Sequence, residues 1–384
     1  MEVARSKTLA NILIALLMSA TWAVFSSTFT LADGDFPAFY VGAVLARHGD
    51  FQSLHDERLQ TAMERPLVPL RVLLPVYFTR AHVYAALLAP FAFLPIRPSF
   101  IAWILWQAAM LVACWYWAFH RFGSDAVALA SLFPPAIMSF AFGQDAVLFL
   151  SLAVLSFYLF ERKRPLASGL VFGLIFIKPH LMLLMPLALC LQKRWRMLWG
   201  LLAAGFLEAA ASILLGGWGS IGRYMQFLER QQQHLSPTPW RMMNVYAIAL
   251  NFGIDNSFVN GALVLLVLVC VASIGWRGDW WQAMSAAMLG TFLIAPHAYL
   301  YDSTMLILPA LLIAFQARHL FIRGAAAAVL TPIPSLLQLM NMPWTGVAAM
   351  LLLVLLVSFA LECAGLLRGR VPEIAIPSAS PSSA

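Results

Sequence analysis

Charge is scarce in this chain of 384 residues: 11% are Asp, Glu, Lys or Arg, against 62% hydrophobic residues and a mean hydropathy of +0.82. An ordinary soluble domain carries roughly 25% charged residues. So little charge cannot clothe a water-facing surface, which excludes a soluble globular protein and leaves a polytopic membrane protein. Cysteine is also rare. Cys114, Cys190, Cys270 and Cys363 all fall inside apolar segments with no CxxC or metal-type spacing, which excludes a disulfide framework and a zinc module. Period-two alternation is missing from the apolar runs, which excludes a transmembrane barrel. Helices remain, because a spanning backbone must satisfy its own hydrogen bonds. The fold class expected is all-α.

The formal net charge of +7 does not indicate nucleic acid, because the basic residues occur as short clusters between apolar runs rather than on one polar face. They read as topology signals, since Lys and Arg accumulate in cytoplasmic loops. Arg5 and Lys7 precede an apolar run at 9–31 that is too long for a signal-peptide core of about 7–15 residues. It reads as an uncleaved first span with a cytoplasmic N-terminus. Twelve further apolar segments follow, at 82–95, 99–119, 126–142, 145–160, 166–177, 180–191, 197–216, 259–276, 280–296, 303–318, 324–340 and 346–367.

Basic clusters at 120–121, 161–164, 192–196, 277, 318–323 and 368–370 place those connections in the cytoplasm. Two cytoplasmic termini require an even number of crossings. The reading is therefore about 12 transmembrane helices plus one re-entrant segment, either 82–95, ended by Pro90 and Pro95, or 126–142, which holds Pro134 and Pro135. Residues 1–370 form one integral-membrane domain, and the Ser- and Pro-rich end at 371–384 is expected to be a disordered cytoplasmic tail. The loop at 32–80 is the longest polar stretch. Phe39, Tyr40, Val44 and Leu45, opposite Arg47 and His48, suggest an amphipathic helix on the membrane surface.

This topology puts five polar islands on the extracytoplasmic side: Asp33 with Asp35; Gly143-Gln144-Asp145; Lys178-Pro179-His180; the loop from about 217 to 256; and 296–302, with His297, Tyr299, Tyr301 and Asp302. Asp33-Gly34-Asp35 is a D-x-D, a weak metal-diphosphate signature. A carboxylate in this place also suits a general base that takes the proton of an attacking hydroxyl; the plain alternative is two solvated interfacial acids. Lys178 is a single cation between apolar segments, next to a helix-breaking proline. At the membrane centre a lysine costs roughly 3 kcal/mol, so it reads either as a point charge for a phosphate in a polar cavity or as a snorkelling side chain. His297 and its tyrosines make a sugar-binding wall or an aromatic belt, and Asp145 reads foremost as a helix N-cap. Arg223, Arg230, Arg241 and His234 in the long loop read equally as a lipid-phosphate grip or as solvated surface. Tryptophans such as Trp103, Trp106, Trp115, Trp117, Trp280 and Trp281 read as interfacial anchors.

Taken in order, the islands resemble glycosyltransferase family 87, the polyprenyl-phosphate-mannose-dependent hexosyltransferases. GDFPAFYVGAVLARHGDFQSLHD is similar to that family's first loop, and FGQDAVLF to its Gly-Gln segment. RKRPLASGLVFGLIFIKPHLMLLMPLALCLQKRWR is similar to its Gly-x-x-x-Gly and Lys-Pro block, and APHAYLYD to its last polar segment. The chain departs from the pattern at Tyr77-Phe78-Thr79-Arg80 and at His180, which follows Lys178-Pro179 where relatives carry Gln.

The resemblance implies a GT-C type bundle and an inverting mannosyl or other hexosyl transfer from a polyprenyl-phosphate-linked sugar to a glycolipid or polysaccharide acceptor. It implies no cofactor and no metal. Among residues it implies Asp35 as catalytic carboxylate with Asp33 as its neighbour, and Lys178, His180, His297, Gln144, Tyr301 and Asp302 as contacts to donor phosphate and sugar. The location implied is the bacterial inner membrane, the site facing the periplasm and the cell envelope. A transporter or lipid flippase is the competing reading. Internal repeats, common in transporters, are not seen in the sequence.

Overall fold

Prolines and glycines cut the apolar sequence into helices of unequal length. The computed structural model describes residues 2–26, 34–67, 76–234, 239–254, 256–340 and 343–367. Among these residues the regular structure is helical, without a β-strand, as the all-α expectation required. Asp33 and the expected tail at 371–384 lie outside the described residues.

The chain begins with α1 (Glu2–Ser26), only 6% of whose apolar window Ser6–Val24 is buried. In the first loop, α2 (Phe36–Arg47) and α3 (Glu57–Glu64) precede α4 (His82–Leu88), which continues into a 3₁₀ turn at Ala89–Phe93. The long α5 (Ile96–Phe122) stops at Gly123, whose φ of 85° ends the helix just after Arg121, a cation placed favourably at a helix C-terminus.

Helices α6 (Ser124–Ser131) and α7 (Pro134–Ala141) are bent by 53°. The residue before a proline is driven out of helical geometry, and Phe133, ahead of Pro134, is extended. Next come α8 (Ala146–Glu161), α9 (Pro165–Gly173), 3₁₀ turns on either side of Lys178, α10 (Met185–Leu191), α11 (Trp195–Gly216) and α12 (Ser220–His234). The remaining helices are α13 (Val245–Asn251), α14 (Ser257–Arg277), α15 (Trp280–Ile294), α16 (Ile307–Gln316), α17 (Leu320–Val329), α18 (Pro332–Leu339) and α19 (Trp344–Cys363). A second 53° bend separates α17 from α18 at Pro332.

Five helices, at Ser6–Val24, Ile96–Phe122, Trp195–Gly216, Ser257–Arg277 and Trp344–Cys363, are long and apolar enough to cross a membrane, or seven spans if each bent pair is one. A polytopic membrane bundle fits this set. The count is lower than the twelve expected because other segments are short: α8 has 16 residues, about 24 Å of helix against a hydrocarbon core of about 30 Å. Of the two suspected re-entrant segments, 126–142 holds the sharp bend, and 82–95 is a seven-residue α-helix followed by the 3₁₀ turn.

The core is built around α15, in which every residue from Ala283 to Leu293 is buried. Helices α9 and α11 approach through glycine: a Cβ on Gly169 would strike the backbone of Met197, and one on Gly200 that of Leu166. Small residues of this kind let membrane helices gain van der Waals contact at short range. The surface helix expected over Phe39 to His48 is instead interior, a correction. Nine α2 residues are buried, and Phe39 on the apolar face packs on Tyr84 of α4 and Trp103 of α5, while Arg47 and His48 stay exposed. Trp103 and Trp280 are likewise buried. The four cysteines are free thiols, with Cys114 and Cys270 buried.

Candidate active site

Asp35 stands at the N-cap of α2, the usual place for an aspartate to accept from the first turn of backbone N–H groups. It makes no such side-chain cap. Its side chain accepts a hydrogen bond from the Gln144 side-chain amide instead, while its backbone N–H donates to the Phe142 carbonyl at 2.7 Å. Two glycines allow this meeting of loops. A Cβ on Gly34 would lie 2.6 Å from the Phe142 carbonyl oxygen, and Gly143, at φ 62°, takes a left-handed conformation against Phe36. Trp103 Nε1 donates to the Gly143 carbonyl at 3.1 Å, and Gln107 donates to the Gln144 carbonyl at 2.6 Å, so the loop that holds Asp35 is itself held from α5.

Beside this pair runs a buried chain of alternating charges. Arg80 grips Asp145 through two bonds, Nε to Oδ2 at 2.9 Å and a terminal nitrogen to Oδ1 at 3.2 Å. Lys178 Nζ lies 3.8 Å from Asp145 and forms a closer ion pair with Asp302. Arg80, Asp145, Lys178 and Asp302 are all buried. Two cations and two carboxylates cancel, which is what a low-dielectric interior demands of buried charge. Asp145 does stand at the N-cap of α8, as its place in the sequence suggested, but its side chain makes no capping bond and its oxygens serve the cations instead. Lys178 is not a snorkelling side chain either. Pro179 breaks the helix at Lys178, and the short 3₁₀ turns on both sides aim its ammonium inward over the rings of Tyr301 and Phe149.

Tyr301 links the two groups, because the charges of Asp35 and Asp302 both reach its phenol. His180 and His297 sit near the same cluster, half-buried, with ring centroids 6.2 Å apart. The Nε2 of His180 is buried without a hydrogen-bond partner among the described residues. The structure thus gathers Asp35, Gln144, Lys178, Asp302, Tyr301, His180 and His297, drawn from four sequence islands, and adds Asp145 to them as an ion-pair centre. Asp33 lies outside the described residues, so the D-x-D pair has no geometry here.

Arg80 is the residue that sequence reasoning passed over. It ends a polar loop, where an arginine looks solvated, and its one signal is that an apolar helix starts two residues later. A second histidine-rich layer lies behind it. His55 Nε2 donates to the Arg80 carbonyl at 3.0 Å and stacks edge-on to His82, and Tyr224 donates to the Thr79 carbonyl at 3.1 Å. Burial lowers the pKa of His55 to about 4; the bond to Arg80 opposes that shift, and the charges of His82 and Arg223 add to it. The ring is therefore neutral at physiological pH.

No curated protein and no solved structure matches the chain. The model of glycosyltransferase family 87 matches residues 82–309, a segment that holds Gln144, Asp145, Lys178, His180, His297, Tyr301 and Asp302 and starts after Asp35 and Arg80. With more than half of its length matched and its apolar helices in place, this chain belongs to glycosyltransferase family 87.

Proposed function

We propose that this membrane glycosyltransferase has the GT-C architecture of about twelve spans and transfers a hexose, mannose by family likeness, from a polyprenyl-phosphate donor to a glycolipid or polysaccharide acceptor. The reaction takes place at the periplasmic face of a bacterial inner membrane. Asp35 accepts the proton of the acceptor hydroxyl as its oxygen attacks the anomeric carbon. The bond from that carbon to the phosphate oxygen breaks, polyprenyl phosphate leaves with the electron pair, and the configuration inverts. Asp33 is the helper of Asp35.

The observation that carries this reading is the Gln144 amide on Asp35, next to the buried charge chain. An aspartate at the start of α2 is stabilised as an anion by the helix dipole, and the amide fixes its direction. Lys178, His180 and His297 are the proposed contacts of the donor phosphate, with Tyr301, Asp302 and Gln144 lining the sugar. Because Lys178 is already balanced by Asp302 and Asp145, it orients the phosphate more than it neutralises it, and the leaving group receives hydrogen bonds from a preorganised wall.

The test is transfer of labelled mannose from polyprenyl-phosphate mannose to envelope extract by the reconstituted protein. Asp35→Asn should abolish transfer while donor binding persists. Transfer at the parent rate by that variant rules Asp35 out as base.

A further inference from the structure

An open groove of about 810 Å³ lies between the α3 region and α12, outside the charge cluster. Every residue that lines it is polar or charged. Gln52, Ser53 and His55 form one wall, and Arg223, Gln226 and Arg230 form the other. Ligand pockets of several hundred Å³ are usually lined by hydrophobic and aromatic side chains, so a groove of this size lined by polar and charged residues suits a sugar rather than a prenyl chain.

Helix α12 explains how the groove is held open. Arg223, Gln226 and Arg230, spaced i, i+3 and i+7, share one face. Ser220, Phe227 and Gln231 form a second face, buried against the protein. Ile221 and Met225 stand exposed on a third. A helix with one charged and one exposed apolar face lies in the plane of a membrane interface, which places the groove at headgroup level.

The charge in the groove is not balanced. Arg230 pairs with Glu57 at 3.2 Å, and the Asp56 carboxylate caps α3 by accepting from Arg58 N and Leu59 N. Among the described residues, Arg223 donates to the Gly216 carbonyl at 2.9 Å and has no ion-pair partner, and neither has the Arg58 side chain. Three guanidinium groups thus line the groove with two carboxylates, Glu57 paired with Arg230 and Asp56 engaged as the cap of α3. His55, which lines the groove, donates from Nε2 to the Arg80 carbonyl at 3.0 Å, and the Arg80 side chain holds Asp145 at 2.9 Å. The groove is thus joined to the candidate active site through His55 and Arg80.

We propose that this groove binds the anionic, phosphate-bearing sugar head of the acceptor, with Arg58 and Arg223 as its charge contacts. The proposal rests on the transferase reading above. The probe is mannose 6-phosphate, titrated calorimetrically into the full chain in phosphatidylcholine nanodiscs, with methyl mannoside and inorganic phosphate run in parallel. Mannose 6-phosphate should bind about tenfold tighter than either.

Arg58→Gln and Arg223→Gln should each weaken mannose 6-phosphate by about tenfold. Arg97→Gln, an exposed arginine outside the groove, should leave it unchanged. Nanodiscs containing phosphatidylglycerol separate the sources: competition assigns a lipid-borne head group, and its absence a free glycan, both within the proposal. Equal affinity for the neutral mannoside, or unaltered binding by both arginine variants, overturns it. Asp35→Asn should bind the probe like the parent. Transfer retained by Asp35→Asn would then remove the base assignment and leave the groove result standing.

Discussion

Gln144 and Asp35, 109 residues apart in sequence, meet through a side-chain hydrogen bond at the point where two glycine-containing loops cross. An amide that directs a carboxylate acts on the reaction through orientation, and misplacement by about 1 Å can cost on the order of 10²-fold in rate. Gln144→Leu should therefore lower kcat by about 10–100-fold and leave the KM for donor within a few-fold of the parent. Gln144→Asn, with a shorter amide, should fall between. A KM rise with kcat preserved would show that Gln144 only lines the donor sugar and does not position Asp35.

The Arg80–Asp145 pair makes a second, thermodynamic prediction. Removing one partner of a buried ion pair leaves an uncompensated charge and costs about 3–5 kcal/mol. Arg80→Met alone should lower the Tm markedly, since Asp145 would keep only Lys178 at 3.8 Å. Combining Arg80→Met with Asp145→Asn removes one charge of each sign and leaves Lys178 with Asp302, so most of the loss should return. Tryptophan fluorescence during heating of the detergent-solubilised protein reads both variants. Additive losses would mean that the two side chains are not coupled.

Much of this site was legible in sequence because polar residues inside apolar runs are conspicuous. Gln144, Lys178, His297 and Asp302 each interrupt hydrophobic sequence, and topology placed them on one side before any contact was known. Arg80 and Asp145 were not legible as partners: one ends a polar loop, the other starts a helix, and only packing across 65 residues buries the pair. The misreading of α2 has a related cause. Its pattern shows which face is apolar, yet what that face packs on, α4 and the aromatic rings of α5 rather than lipid, belongs to tertiary structure. Helix lengths failed in the same way, because the prolines that break 126–142 and 324–340 are visible while the 53° bends follow from packing.

The α9–α11 contact makes a prediction about assembly of the bundle. Since a Cβ at Gly169 meets the Met197 carbonyl and one at Gly200 meets Leu166, neither helix can retreat without opening the glycine-lined seam. Gly200→Val should destabilise the protein by about 1–3 kcal/mol or more, as overpacking does. Gly222→Val, where nothing lies within 4 Å of the added Cβ, is the matched control and should be far milder. Recovery of monodisperse protein by size exclusion, followed by thermal unfolding, measures both. Equal Tm values would sink the close-packing argument.

His55 sets the sign of a pH dependence. Its pKa is about 4 in the folded protein, lowered by burial from 6.5, so between those values the unfolded chain binds a proton that the folded chain does not. Stability from this residue is fully present above pH 6.5 and declines as pH falls towards 4, with a total of about 3 kcal/mol. The charged or titratable neighbours are His82 from α4 and Arg223 and Tyr224 from α12, so a proton on His55 would also face like charge. His55→Gln keeps a donor for the Arg80 carbonyl and removes the titration. The parent should lose Tm between pH 6.5 and 4.5, and the variant should show a flatter profile over that window. A variant profile as steep as the parent's would place the acid sensitivity elsewhere, and a parent profile that rises on acidification would contradict the buried neutral ring.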